Sequence, residues 1–213
     1  MQQNVQEELK SGEAGHRERH PAVLSLTKIS GLSDRTRQAS AIEFVRLSQV
    51  DTASLLRLVN DPRVQRHMPL AGDEMSEADV HASAGDKELY WDKFGFGPWG
   101  IRIQGTIAGW GGLQPFNGDV EIALVLLPEF WGWGKAIFLQ LKQYAFGELG
   151  LPHVVVALPP TRGGARGLLR LGFRPVDTAD VEGHRFIVYR LDAPEPLGVG
   201  PELRSLRHSR DIG

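Results

Sequence analysis

The 213-residue sequence contains no cysteine, which excludes disulfide bonds, thiolate metal ligands and a cysteine nucleophile. No apolar run approaches the roughly 20 residues that a membrane-spanning helix needs. The polar N-terminus, MQQNVQEELKSGEAGHRERH, has no apolar segment of the kind found in secretory signals. With a formal net charge of −2, the chain also lacks the positive charge typical of nucleic-acid-binding proteins. Together these absences predict a cytoplasmic protein that binds neither nucleic acid nor membrane.

Large apolar residues are scarce at both ends of the chain. Residues 1–41 are rich in Gln, Glu, Arg, Ser and Gly, and such a segment buries too little apolar surface to offset its ordering entropy. We therefore predict that residues 1–41 form a disordered or loosely ordered arm. Residues 193–213 open with Pro and Gly and show no sustained pattern, so they are predicted to be a tail. The remaining residues, 42–192, are long enough for one well-buried domain.

Within residues 42–192, segments with the periodicity of strands alternate with segments with the periodicity of helices. Asp51 and Ser76 are placed to cap the first two helices, and Pro62 is expected to interrupt the first of them. Strands are predicted at 42–50, 98–104, 106–116, 119–127, 153–158 and 185–191, and helices at 51–68, 76–95, 134–149 and 161–172. The order β-α-α-β-β-β-α-β-α-β indicates an α/β domain with a mixed sheet.

The segment EFWGWGKA, residues 129–136, places two glycines where a strand passes into a helix. The first N–H groups of a helix have no partner within it and bind phosphate, and glycine lets the phosphate approach closely. A Walker loop is excluded because Glu129 stands at its first glycine position and Ala136 follows Lys135. A dinucleotide fingerprint is excluded by Ile137 at its third glycine position. The segment predicts a phosphate or pyrophosphate site, the alternative being an ordinary glycine-containing helix start.

Four stretches carry a family resemblance. They are FVRLSQVDTASLLRLVNDPRVQRHM, WGIRIQGTIAGWGGL, DVEIALVLLPEFWGWGKA and LGFRPV. In this order and spacing they resemble the GNAT superfamily of N-acetyltransferases, and within it the branch of ribosomal-protein and antibiotic acetyltransferases. The resemblance implies a mixed, mostly antiparallel sheet flanked by helices, with acetyl-CoA as co-substrate and no metal. It also implies direct acetyl transfer to a primary amine of a small molecule or a protein N-terminus, and it leaves a homodimer open.

The resemblance also assigns roles to individual residues. The pyrophosphate would be held by the main chain at Gly132, Trp133, Gly134, Lys135 and Ala136. The pantetheine arm would pair with the main chain of Val125, Leu126 and Leu127. Thr161 stands where the family has an Asn that binds the cofactor. Glu121 on the fourth strand is the candidate general base, with Asp119 in reserve. The alternative for Glu121 is a solvated carboxylate at the end of a strand.

The segment TRGGARGLLRLGF departs from the family pattern. Gly164 stands at the position of a family Ser, Leu168 at that of a Tyr and Leu169 at that of a Glu, so no side chain is an obvious general acid. This departure supports a second hypothesis, a catalytically weak or inactive acyl-CoA-binding or regulatory module. The basic stripe formed by Arg162, Arg166 and Arg170 would meet the 3′-phosphate of the cofactor or form a solvated helix face.

The segment GWGG, residues 109–112, has more glycine than a strand normally carries. Glycines within a strand mark a bulge or the close approach of another group. Trp110 is therefore expected either to line the acceptor pocket, together with Trp91 and Phe96, or to belong to the core.

Overall fold

The computed structural model describes residues 41–70, 74–160, 163 and 165–194. The predicted domain, 42–192, falls almost wholly within these ranges. Most of the predicted N-terminal arm and C-terminal tail lies outside the described residues, so both remain predictions.

Seven strands form one sheet in the described part of the chain, in the order β1-β2-β3-β4-β5-β7-β6. The strands are β1 (Ile42–Arg46), β2 (Pro98–Ile103), β3 (Thr106–Phe116), β4 (Asp119–Leu126), β5 (His153–Leu158), β6 (Arg174–Val181) and β7 (His184–Asp192). All neighbouring strands are antiparallel except β4 and β5, which are parallel. The predicted fold class is therefore confirmed. The strand that was not predicted, β6, lies at the sheet edge and is mostly exposed, so it has no apolar alternation to reveal it.

The helices are α1 (Thr52–Val59), α2 (Pro62–Gln65), α3 (Glu77–Phe94), α4 (Gly134–Gln143) and α5 (Ala165–Arg170). Asp51 accepts a hydrogen bond from the N–H of Ser54 and so caps α1 as predicted. Pro62 lies in the first turn of α2, where its missing N–H costs nothing, so it separates α2 from α1 as expected. A 3-10 helix (Pro128–Trp133) leads directly into α4, and a π-helical turn (Tyr144–Glu148) follows α4.

Helices cover both faces of the sheet. On one face Ile137 and Leu141 of α4 pack against Ile122 and Leu126 of β4. On the other face Leu127, directly after β4, joins a buried cluster with residues of α1 and α2, Leu58 and Val64 among them. Successive strand residues point to opposite faces, so the α1–α2 side is also the face to which Glu121 belongs.

The glycines of GWGG let the strands of this protein approach each other. A Cβ on Gly109 would lie 2.0 Å from the carbonyl oxygen of Val125, and one on Gly112 would lie 2.6 Å from that of Gly97. The close approach predicted at this segment is therefore made by neighbouring main chain, and it holds β3 between β2 and β4.

Candidate active site

A cavity opens where β4 and β5 separate. Within the described residues these two strands pair at a single position, Glu121 opposite Val155. Beyond it, residues 122–126 of β4 and 156–158 of β5 line opposite walls of a cavity of about 780 Å³. The cavity is also lined by residues of α2 and its following turn, of the start of α4 and of α5, so it extends to both sides of the sheet.

Glu121 lies at the point of separation and is the one buried polar or charged residue in the described part of the chain, with 8% of its surface exposed. Its Oε1 accepts a hydrogen bond from the N–H of Ala157 at 3.2 Å, and its Oε2 accepts one from Nε2 of Gln114 at 2.8 Å. Burial raises the pKa of the Glu121 carboxyl, while the two hydrogen bonds favour the charged form and oppose this rise. The Glu121 carboxyl therefore keeps its proton to a higher pH than an ordinary glutamate does.

The bond from Ala157 also explains how the sheet opens without leaving a main-chain donor unsatisfied. A continuing parallel ladder would give the N–H of Ala157 a carbonyl acceptor on β4. Because the strands separate there, the Glu121 side chain supplies the acceptor instead. An unpaired buried N–H would cost free energy comparable to a lost hydrogen bond, so Glu121 stabilises the opening as well as lining it.

The two edges of β4 differ in what they leave available. Opposite residues of an antiparallel pair alternate between bonded and non-bonded positions. The N–H of Leu127 donates to the carbonyl of Ala108 at 2.8 Å, and Pro115, which has no N–H, faces Val120. The residues whose main-chain groups bond to β3 are therefore Val125 and the residues two positions before and after it. It follows that Leu124 and Leu126 direct their N–H and carbonyl groups towards the cavity.

This geometry corrects part of the predicted pantetheine contact. Val125 pairs with Trp110 of β3. The N–H of Leu127 donates to Ala108 of β3 and its carbonyl accepts the N–H of Phe130, so neither residue presents free main-chain groups to a ligand. Leu126 does direct its main-chain groups towards the cavity. Leu124 does the same and replaces Val125 and Leu127 in the predicted contact. The proposed contact therefore consists of Leu124 and Leu126.

Trp131 has a side-chain role that the sequence did not reveal. Its indole Nε1–H donates to the carbonyl of Leu126 at 2.9 Å, and its ring meets the ring of His67 edge-on with centroids 5.9 Å apart. About half of the Trp131 side chain, 49%, remains exposed, and it lines the cavity. A carbonyl oxygen has two lone pairs, so Leu126 retains capacity for a ligand donor.

The predicted pyrophosphate segment is helical throughout. Gly134 has φ −52° and its N–H bonds to the carbonyl of Trp131, so no left-handed turn requires the glycine there. A Cβ on Gly132 would meet no atom within 4 Å. Lys135 at the start of α4 and Arg170 at the end of α5 both line the cavity. Open space, a helix start and two cations fit the phosphates of coenzyme A.

The remaining predicted residues divide into three groups. Thr161, Arg162 and Gly164 lie outside the described residues, whereas Leu168 lines the cavity. Asp119, the reserve base, pairs with Nε2 of His153 at 2.6 Å and does not line the cavity. The sequence suggests three aromatic residues for the acceptor pocket. Trp91 is buried in the core, Trp110 and Phe96 are partly buried and pack against it, and none of the three lines the cavity.

Sequence reasoning also missed Gln114, although a signal for it exists. Asn117 and Gly118 have φ of 47° and 82°, as a two-residue hairpin turn requires. Counting back from such a turn places Gln114 directly opposite Glu121, which is the register that the structure has. Identification of Asn117–Gly118 as a tight hairpin is therefore enough to find the partner of the candidate base.

Two further observations concern the described residues only. No helix among them is both long and apolar enough to cross a membrane. No cluster of three or more His, Asp or Glu side chains in these ranges is placed to hold a metal ion.

Solved structures with the same fold are numerous, and three illustrate the range. An acetyltransferase from Agrobacterium tumefaciens str. C58 is 19% identical, with 83% of this chain and 99% of that one covered at a TM-score of 0.60. The microcin C7 self-immunity acetyltransferase MccE, solved with acetyl-CoA and AMP, is 15% identical, with 71% and 92% covered at 0.57. A protein described as a ribosomal-protein-serine acetyltransferase from Vibrio cholerae is 16% identical, with 71% and 94% covered at 0.56.

These identities establish a shared fold and nothing finer. Among curated protein sequences none matches the chain. The sequence profile of the acetyltransferase (GNAT) domain, however, matches residues 42–174, which is more than half of the chain and includes β4, the separation from β5 and the start of α4. The protein therefore belongs to the GNAT family of acetyltransferases, a family that uses acetyl-CoA.

Proposed function

We propose that the protein is a cytoplasmic, acetyl-CoA-dependent N-acetyltransferase that acetylates a primary amine directly, on a small molecule or a protein N-terminus. The observation that carries this proposal is the buried carboxylate of Glu121 at the point where β4 and β5 separate. An amine must lose a proton before it can attack, and a base works best when its pKa lies near the working pH. Burial moves the pKa of Glu121 in that direction.

In this proposal Glu121 removes the proton from the acceptor ammonium, directly or through one water molecule. Gln114 and Ala157 hold the carboxylate in place, each through one oxygen. A carboxylate has about four lone-pair sites, so both oxygens can accept a further hydrogen bond from the amine or from water. The two partners therefore orient the base without occupying it.

The cavity also supplies groups to hold the co-substrate, which contributes an acetyl group activated as a thioester. Leu124 and Leu126 would offer main-chain groups to the pantetheine arm, in the manner of strand addition. The segment Gly132–Ala136, with Lys135, would hold the pyrophosphate at the start of α4. A main-chain N–H of β4 that faces the cavity would stabilise negative charge on the reacting carbonyl.

One observation favours the second hypothesis, a catalytically weak or inactive acyl-CoA-binding module. Leu168 lines the cavity at the position where the family resemblance places a Tyr, so an apolar group stands where a proton donor is expected. Water would then have to protonate the leaving thiolate. Slow turnover with intact cofactor binding is the signature of this alternative.

A coupled assay of thiol release and cofactor binding separates the two hypotheses. The full chain is incubated with acetyl-CoA and a panel of primary amines, and thermal stabilisation by coenzyme A is measured in parallel. We expect amine-dependent thiol release, and stabilisation of about 2.7 kcal/mol at 100 times Kd. Stabilisation without release on any amine would support the binding module. If coenzyme A does not stabilise the protein and no amine causes thiol release, both hypotheses are contradicted.

A further inference from the structure

We propose that the preferred acceptor is a monoamine that carries an aromatic or large apolar group close to its ammonium, rather than a polyamine or a polycationic sugar. This inference rests on the proposed function and names its acceptor class. It comes from the charge and the shape of the cavity on the α1–α2 side of the sheet. The side chains of Val64, Met68, Val125 and Trp131 line that side together with His67.

The first step concerns charge. Glu121 is the one carboxylate among the described residues that line the cavity, whereas Lys135 and Arg170 contribute two cations. An acceptor with several ammonium groups loses the hydration of each, and a charge without a partner is expensive to bury. A single ammonium matches the single carboxylate. Among the described lining residues, a second or third ammonium has no acidic side chain to meet.

The nearby acidic side chains on this face already have partners. Glu129, two residues before Trp131, forms an ion pair with Arg57 of α1. Asp61, which caps α2, forms an ion pair with Arg63 at 2.8 Å, and this bond lowers the pKa of Asp61 to about 2. Neither lines the cavity. Glu129 and Asp61 are therefore each paired with an arginine and do not supply free negative charge to a polyamine.

The second step concerns shape. The indole of Trp131 is held at its polar end by the carbonyl of Leu126 and at one side by the ring of His67. Half of the Trp131 side chain remains exposed, and it lines the cavity. Val64, which is buried, lines the same cavity, as does Met68, a flexible side chain that adapts to the shape of an apolar guest. A fixed aromatic ring beside two apolar side chains favours an aromatic or apolar substituent over a polar one.

This chemistry could come from two sources. One is an arylalkylamine, and the other is the free N-terminus of a peptide that begins with a large apolar residue. Both place one ammonium next to one apolar group, so the site described here accepts either. The experiment below includes one probe for each source.

The test measures thiol release with phenethylamine, ethylamine, spermidine and two peptides that begin with Met or with Asp. We expect kcat/KM for phenethylamine to exceed that for ethylamine and spermidine by about tenfold, the size of one good aromatic contact with its buried area. Trp131→Ala should remove most of this preference through the KM of the amine, and Trp131→Phe should keep most of it. Leu139→Ala, which shortens a similarly exposed side chain on α4 away from the cavity, is the matched control.

Preference of the Met peptide over the Asp peptide, with phenethylamine poorly used, would assign the site to protein N-termini and supports the inference. A preference for spermidine, or an unchanged ratio of phenethylamine to ethylamine in Trp131→Ala, would overturn it. If no amine is acetylated, the proposed function fails, and the inference is decided by calorimetry. Tighter binding of phenethylamine than of spermidine to the protein supports it, and the reverse order overturns it.

Discussion

Glu121 stands at a position with both a structural and a chemical consequence. Its carboxylate accepts the N–H of Ala157 where the β4–β5 ladder ends, which is a structural task. It also lines the cavity with an elevated pKa, which suits a base. The bond with Gln114 fixes the side chain in the position that serves both. Substitution at this residue is therefore expected to change stability and catalysis together, and pH distinguishes the two effects.

Glu121→Gln should change how stability depends on pH. Because the folded-state pKa of Glu121 is raised, the folded protein binds more protons than the unfolded chain between the ordinary glutamate pKa and the raised one, so stability falls as pH rises through that window. Glutamine removes this loss. We expect the difference between the Tm of the variant and that of the parent to be more positive at pH 8 than at pH 5. Each kcal/mol of unfolding free energy corresponds to roughly 2–4 °C in Tm for a chain of this size.

The exposed Glu148→Gln serves as the control for the isosteric change itself. In the Glu121→Gln variant, the new side-chain amide can still accept the N–H of Ala157 if the amide of Gln114 turns over, so the variant is expected to fold. A Tm difference that is the same at both pH values would show that burial does not raise the pKa of Glu121.

At the scale of elements, glycines in β3 and in the helical segment after β4 differ in whether the packing of the main chain requires them. Gly109 faces β4 at the point where a Cβ would lie 2.0 Å from the Val125 carbonyl oxygen, so the sheet itself requires glycine there. Gly132 has open space around its Cβ direction and lies in a helical segment, where glycine is unfavourable compared with alanine. The fold gives no reason for glycine at 132. A ligand that approaches the main chain would give one.

Gly132→Ala should therefore keep the Tm or raise it slightly, because alanine stabilises a helix by up to about 1 kcal/mol relative to glycine. The same substitution should raise the KM for acetyl-CoA several-fold. Gly109→Ala is the matched comparison, and it should lower the Tm sharply because the β3 and β4 main chains must move apart. Calorimetry of unfolding and steady-state kinetics measure both effects. A Gly132→Ala variant with unchanged KM would remove Gly132 from the cofactor site.

Strand β4 could be predicted from the sequence in part only. Period-two alternation identified β4 and the face of Glu121, because side-chain direction follows from local geometry alone. Alternation does not tell which residues of β4 have free main-chain groups, since that depends on the register with β3. The resemblance therefore implies Val125 and Leu127, whereas it is Leu124 that directs its main-chain groups towards the cavity. The same limit hid the Trp131 side chain, whose partner Leu126 becomes an acceptor only after β5 has separated.

At the scale of the whole molecule, the sheet consists of two antiparallel halves joined by one parallel contact. Strands β1 to β4 form one half, and β5, β7 and β6 form the other. The cavity lies between the halves, with α2 on one side and α4 and α5 on the other. In the proposed function, an amine would enter from one face and the co-substrate from the other, with Glu121 between them. The proposed reaction therefore requires the two halves of the sheet to be placed correctly around the cavity. A measurement of turnover tests this placement.

The most direct test is the pH dependence of acetyl transfer by the parent protein and by Glu121→Gln, with thiol release measured from about pH 5 to pH 9. We predict that kcat/KM of the parent rises with pH as the Glu121 carboxyl loses its proton, because only the charged form accepts a proton from the amine. Glu121→Gln should lower kcat by roughly 10²–10⁴-fold, with little change in the KM for acetyl-CoA. Equal rates and superimposable pH profiles for the two proteins would contradict a catalytic role for Glu121.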